Sequence, residues 1–249
     1  MKKTNLLTLS SVACALLLLP TVMRAGIIGS PHDFSGESWN IRPGDRNSVC
    51  GTCHQPHHAD SSVVPLWIHT TTTTVFTLYD TNNVPTSKLN ASPTAIAGVS
   101  RACLSCHDGT VAVNSYAGGV QPIIGGIGGS PSYITNSAQI GTDLTHTHPI
   151  SFVYNSSLAT ADGFLHDPSE DVLIPDAGTG SGTPNFPGTD QSINHFLLSG
   201  GSRVECSSCH DVHNQIGSPF SYTLNPKLVK IVGTQSGKGS LLCRSCHIK

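Results

Sequence analysis

Charge is scarce in this chain. Only 11% of its 249 residues are Asp, Glu, Lys or Arg, and the net charge is −2. Without a basic excess, nucleic acid is excluded as a natural partner. Long apolar runs are missing as well: beyond Leu19 no segment is long and apolar enough to span a bilayer. Aromatic residues make up 6%, and sustained apolar stripes of helical period are absent, so helices should be few and short. Both methionines, Met1 and Met23, fall at the extreme N-terminus. Any metal centre in the remainder is therefore built without a thioether ligand. What fills the chain instead is loop-forming residues, with 25 Gly and 16 Pro among abundant Ser, Thr and Asn.

Residues 1–25 read as a signal peptide: Lys2 and Lys3 form a basic start, Leu6 to Leu19 the apolar stretch, and Pro20 to Ala25 the approach to cleavage. An uncleaved membrane anchor is the rival reading. Cys14 lies inside the apolar stretch and reads as leader filler. Cleavage removes Lys2, Lys3 and Arg24 and no acid, which takes the net charge from −2 to −5. Residues 26–249 are expected to form a single exported domain, extracellular or on the outer cell surface, with the periplasm as the alternative.

The remaining eight cysteines all fall into one pattern. Cys-x-x-Cys-His occurs at Cys50–His54, Cys103–His107, Cys206–His210 and Cys243–His247. This is the attachment signature of c-type haem. Two thiols (Cys50 and Cys53, Cys103 and Cys106, Cys206 and Cys209, Cys243 and Cys246) bond one porphyrin, and the adjoining His54, His107, His210 or His247 reaches the iron. An even cysteine count in an exported chain would otherwise suggest disulfides, but none is left to pair. Four covalently attached haems are expected. Since the mature chain has no methionine, each sixth ligand must be histidine or absent, and nine further histidines can supply it.

Five of those nine stand out. His57 and His213 each follow a proximal histidine by three residues, in CHQPH and CHDVH. On a helical turn i and i+3 share a face, so neither can reach the far side of its own haem, but each could serve an adjacent one. The plain alternative is a surface histidine; His58 reads that way. His32 precedes the first motif, with Asp33 and Ser35 as possible acceptors for its second ring nitrogen. His69 follows Trp67, which can pack on a porphyrin edge. His148 precedes Pro149, which favours extended backbone and projects the imidazole outward. His146, His166 and His195 have weaker settings, and His166 reads as a turn residue bonded to Asp167. Five candidates for four irons mean that one is not a ligand or serves another protomer.

The expected fold is loop-rich, with few short helices, little sheet, and a core built around four stacked haems. Helical turns are expected around 103–108, 206–214 and 241–247. Thr70 to Tyr79, β-branched and aromatic, reads as a short strand. Gly118 to Pro131 and Asp176 to Gly188 read as loops.

The strings HDFS, CGTCHQPH, PLWIH, CLSCHDGTVAV, HPISF, CSSCHDVHN and CRSCHIK resemble those of the doubled-CXXCH multihaem cytochromes. Within them they are similar to tetrahaem cytochromes that form extracellular filaments, or nanowires, over nearly the whole mature length. That resemblance implies haems stacked in alternating parallel and T-shaped pairs, and head-to-tail polymers in which a histidine of one subunit ligates a haem of the next. His57 best matches that donated histidine. Ile68 stands where the family often has asparagine, which leaves His69 without an expected polar neighbour. The implied function is electron transfer to other redox proteins and external acceptors, in a filament or, alternatively, as a monomeric periplasmic shuttle. A reductase would need an open iron position, and four ordinary motifs with surplus histidines argue against an enzyme.

Overall fold

The computed structural model describes residues 27–37, 48–57, 59–60, 62–115, 130–173, 190–213, 228–231, 234–235 and 239–248. The predicted signal peptide, His58 and nearly all of the two predicted loops lie outside the described residues.

Among the described residues, five short α-helices, a 3-10 turn at Phe34–Gly36 and two minimal sheets punctuate stretches of loop. The longest helix, α1 (Gly98–His107), carries the second Cys-x-x-Cys-His motif on its last turn. It begins earlier than the motif alone predicts because Ser100, Ala102, Leu104 and Ser105 form a buried stripe. It stops at Asp108, whose N–H closes on the Leu104 carbonyl, and Gly109 then turns the chain with φ +78°. The strand β1 (Phe152–Val153) leads into α2 (Ser156–Asp162). Asn155 caps α2 by accepting the Leu158 N–H, and Gly163 ends it at φ +73°.

After α3 (Ile193–Phe196), β2 (Arg203–Val204) pairs antiparallel with β1, placing Phe152 opposite Val204 and Val153 opposite Arg203. That pairing delivers the chain directly into α4 (Cys206–Cys209), the third motif. A second antiparallel pair, β3 (Thr234–Gln235) with β4 (Gly239–Ser240), delivers it into α5 (Leu241–Cys246), the fourth. Two of the four motifs are thus launched from the end of a strand pair. The helix expected over 206–214 is a single turn. His210 leaves it in extended conformation, and the Asp211 N–H goes to Leu228 rather than back into a helix.

The strand expected over Thr70 to Tyr79 does not form. Among the described residues the segment lacks a neighbouring strand, and its one bridge is Thr77 with Asp143. Its donors are spent elsewhere: the Thr70 N–H on the Ser115 carbonyl, and the Thr72 N–H on Ser105 Oγ of α1 at 2.9 Å. β-branched residues make the backbone extended, but a ladder needs a partner.

The larger apolar cluster gathers Phe152, Tyr154, Ala159, Val172, Ile193, Leu197, Leu198, Val204, Ile231 and Leu241. It supports β1, β2, α3 and α5, and hence the third and fourth motifs. A smaller cluster of Ile96, Leu104 and Leu144 backs α1. Both are drawn from many short segments, as a chain without long apolar stripes requires.

Candidate metal centres

The four motifs share a local geometry. In the first, third and fourth, the histidine N–H bonds the carbonyl of the first cysteine at 2.9, 3.0 and 2.9 Å. That closes one turn and holds both thiols on it. At His210 (φ −114°, ψ 143°) and His247 (φ −103°, ψ 128°) the backbone then turns extended, which throws the imidazole away from the turn. The extended residue is held by an antiparallel bridge: His54 to Trp67, His210 to Val229, and His247 to Leu165.

Motifs adjacent in sequence are adjacent in space. Cys103 hydrogen-bonds Cys206, which raises the Cys103 thiol and lowers that of Cys206. Burial, with Cys50 next, pushes Cys53 up to about 11, and burial, with Cys209 and Cys243 next, pushes Cys246 up to about 12. Cys106 is raised by burial and then by Cys53. The order of the thiol pairs through the molecule is therefore the order of the sequence.

Three motif histidines face a second histidine. The ring centres of His54 and His213 are 6.2 Å apart, those of His107 and His32 6.0 Å, and those of His247 and His148 6.2 Å. Two imidazoles bound at about 2 Å on opposite sides of one metal place their ring centres roughly 6 Å apart. The hydrogen bonds of these rings agree with that role. Nδ1 of His54 donates to the Pro65 carbonyl at 2.9 Å, that of His107 to Ala138 at 2.8 Å, and that of His148 to Pro149 at 2.8 Å. A carbonyl only accepts, so Nδ1 carries the proton and the Nε2 lone pair is available for a metal. His32 is pushed down to about 4 by burial, with His107, His210 and His213 adding repulsion, so its ring is held neutral, the form that ligates. The residues fit four haems on chemistry (paired thiols plus an adjoining histidine) and three irons on geometry.

The other expected histidines divide. His57 is exposed and makes no hydrogen bond among the described residues. His69 is buried against Cys106, with Nε2 at 3.0 Å from the Ala112 carbonyl. Asp33 does not orient His32: its oxygens take the N–H of Gly29 and the N–H and hydroxyl of Ser35. His166 bonds Glu170 at 2.8 Å rather than Asp167, whose carboxylate is taken by Ser169. It lines, with Glu170, Asp171 and Ser245, a cavity of about 470 Å³ beside the fourth motif. Among the described residues no three of His, Cys, Asp and Glu converge as a chelating site.

One set of residues escaped sequence reasoning. The position before the second cysteine is Thr52, Ser105, Ser208 and Ser245, and all four are buried. Ser105 accepts the N–H of Thr72, Ser208 that of Glu205, and Ser245 that of Leu173 at 2.8 Å. The recurrence of a small hydroxyl in every motif was the signal. At Ser105 and Ser245 it pins remote loops, at Thr72 and Leu173, to the motif turns, whereas Ser208 bonds the N-cap of its own helix.

Glu205, also buried, accepts from Ser100 of α1, from Ser151 at 3.1 Å and from Arg203 at 3.1 Å, while Ser100 Oγ receives the Cys206 N–H at 3.0 Å. This network welds the second motif to the third. Compared with known proteins, the chain matches no protein-family model and no curated protein.

Proposed function

We propose that the protein carries electrons through four c-type haems with two histidine ligands each, as the subunit of an extracellular cytochrome filament. The observation that carries this reading is the set of three histidine pairs at 6.0 to 6.2 Å, each containing one motif histidine. Each haem would supply a reversible one-electron centre of low potential, since bis-imidazole ligation lacks the methionine that raises it. The polypeptide would hold the porphyrins by their thiols, fix the imidazoles through backbone carbonyls, and keep the second and third haems close, since Cys103 bonds Cys206.

Polymerisation is supported by His57, which is exposed and uncommitted among the described residues. It would enter the iron coordination of a neighbouring subunit. The acidic balance suits cationic redox partners and ferric minerals or chelates. A pyridine haemochrome assay with electron paramagnetic resonance tests the haem count and spin state: four low-spin haems per chain are expected, and fewer than four overturns the reading. Electron microscopy of the purified protein tests the assembly. Filaments that vanish in His57→Ala, with one iron turned high-spin, are expected. Wild-type protein without filaments leaves the monomeric shuttle, and intact low-spin filaments in His57→Ala shift the donated ligand elsewhere.

A further inference from the structure

Resting on the haem-binding reading above, we infer that His69 is not an iron ligand but a positioning residue for the second haem-attachment motif. Its ring nitrogens are used in the opposite sense from those of the paired histidines. In His54, His107 and His148 the carbonyl partner lies on Nδ1, which frees Nε2. In His69 it lies on Nε2, 3.0 Å from the Ala112 oxygen. The oxygen can only accept, so Nε2 carries the proton. The ring's remaining lone pair is on Nδ1, which lies 3.9 Å from Cys106 Sγ, so the geometry used by the paired histidines is not open to this ring.

The ring is also held where it is. Its residue is 2% exposed, Trp67 packs against it with ring centres 5.9 Å apart, and Ile68 beside it is 4% exposed. The backbone on either side is fixed by the Ile68 N–H to the Cys53 carbonyl and the Thr70 N–H to the Ser115 carbonyl. A swing toward an iron would break the Ala112 bond and leave that carbonyl without its donor.

What the ring does touch is sulfur. Cys106 Sγ lies 3.5 Å from Nε2 and 3.9 Å from Nδ1. In the haem-bearing protein that atom is the thioether joining the second porphyrin to the chain. His69 therefore sits as a wedge between Trp67, which packs edge-on to His54 of the first motif, and the sulfur of the second. It fixes the Cys106 side chain against the loop at Ala112, and its Nε2–H dipole lies against the porphyrin's attachment point. A donor at that place favours the reduced haem, so losing it should lower that haem's potential.

The test uses the secreted, haem-loaded protein and two variants. His69→Gln keeps an N–H able to reach Ala112 but removes the imidazole; His69→Leu removes both. Both are expected to retain four low-spin haems. Potentiometric titration of His69→Leu should show one of four midpoints moved down and three unchanged, with His69→Gln close to wild type. A high-spin ferric haem in either variant makes His69 an axial ligand and overturns the inference. So do four unchanged midpoints in His69→Leu, or equal shifts in both variants. If His69→Leu fails to accumulate, the spin state of His69→Gln decides alone. Fewer than four haems in the wild type would instead strike the reading beneath.

Discussion

Which nitrogen of an imidazole carries the proton is the smallest fact in this structure with functional weight. It separates His54, His107 and His148, bonded through Nδ1, from His69, bonded through Nε2. The paired rings lead to a direct expectation. His213→Ala should keep four covalent haems but turn one ferric iron, that held by His54, from low-spin to high-spin. His148→Ala should do the same at the iron held by His247. A double variant should show two high-spin irons. Electron paramagnetic resonance of the ferric protein reads all three. A low-spin spectrum in His213→Ala would break the pairing with His54.

At the scale of elements, the decisive contact is that of α1 with α4, because each carries a Cys-x-x-Cys-His motif. Its polar half is Ser100, which both donates to Glu205 and accepts the Cys206 N–H. Ser100→Ala leaves a buried carboxylate short of one donor and a buried N–H without its acceptor. A loss of about 1–3 kcal/mol of stability is expected, measured by denaturant unfolding of the haem-loaded protein. Ser207→Ala, on α4 and only partly buried, is the control and should be near neutral. A neutral Ser100→Ala would mean that the two motifs are held together by haem contacts alone. The helices themselves were partly legible: sequence located α1, α4 and α5 at the motifs but not α2 or α3. It did not reveal α1's early start, because Ser100 and Ser105 count as polar in any periodicity yet lie fully buried. Nor did it reveal that the Thr70 to Tyr79 segment lacks a strand partner.

At the scale of the whole molecule, the apolar core among the described residues divides into a cluster of ten buried residues and one of three. Ordering each loop residue costs about 1–2 kcal/mol, and the haems would supply the missing apolar surface. Cys206→Ser with Cys209→Ser should therefore give an unfolded or degraded product rather than a compact three-haem protein. The third motif is the place to test this, since α4 joins α1 on one side and the larger cluster, through β2, on the other. Normal yield of a soluble, protease-resistant product would show that the polypeptide folds without that haem.

The sequence by itself determined the candidate attachment sites: eight thiols and four adjoining histidines lie in contiguous motifs, where covalent spacing suffices. It also excluded methionine ligation by composition alone. Tertiary structure decided the partners. His213, beside the third motif, faces the first; His32, before the first, faces the second; His148, from the long interval, faces the fourth. No local spacing encodes such pairings, because each depends on where a loop is pinned by buried donors such as the Leu173 N–H on Ser245. The same holds for His69, whose neighbour Trp67 was visible in sequence while Ala112 and Cys106 were brought to it only by the fold.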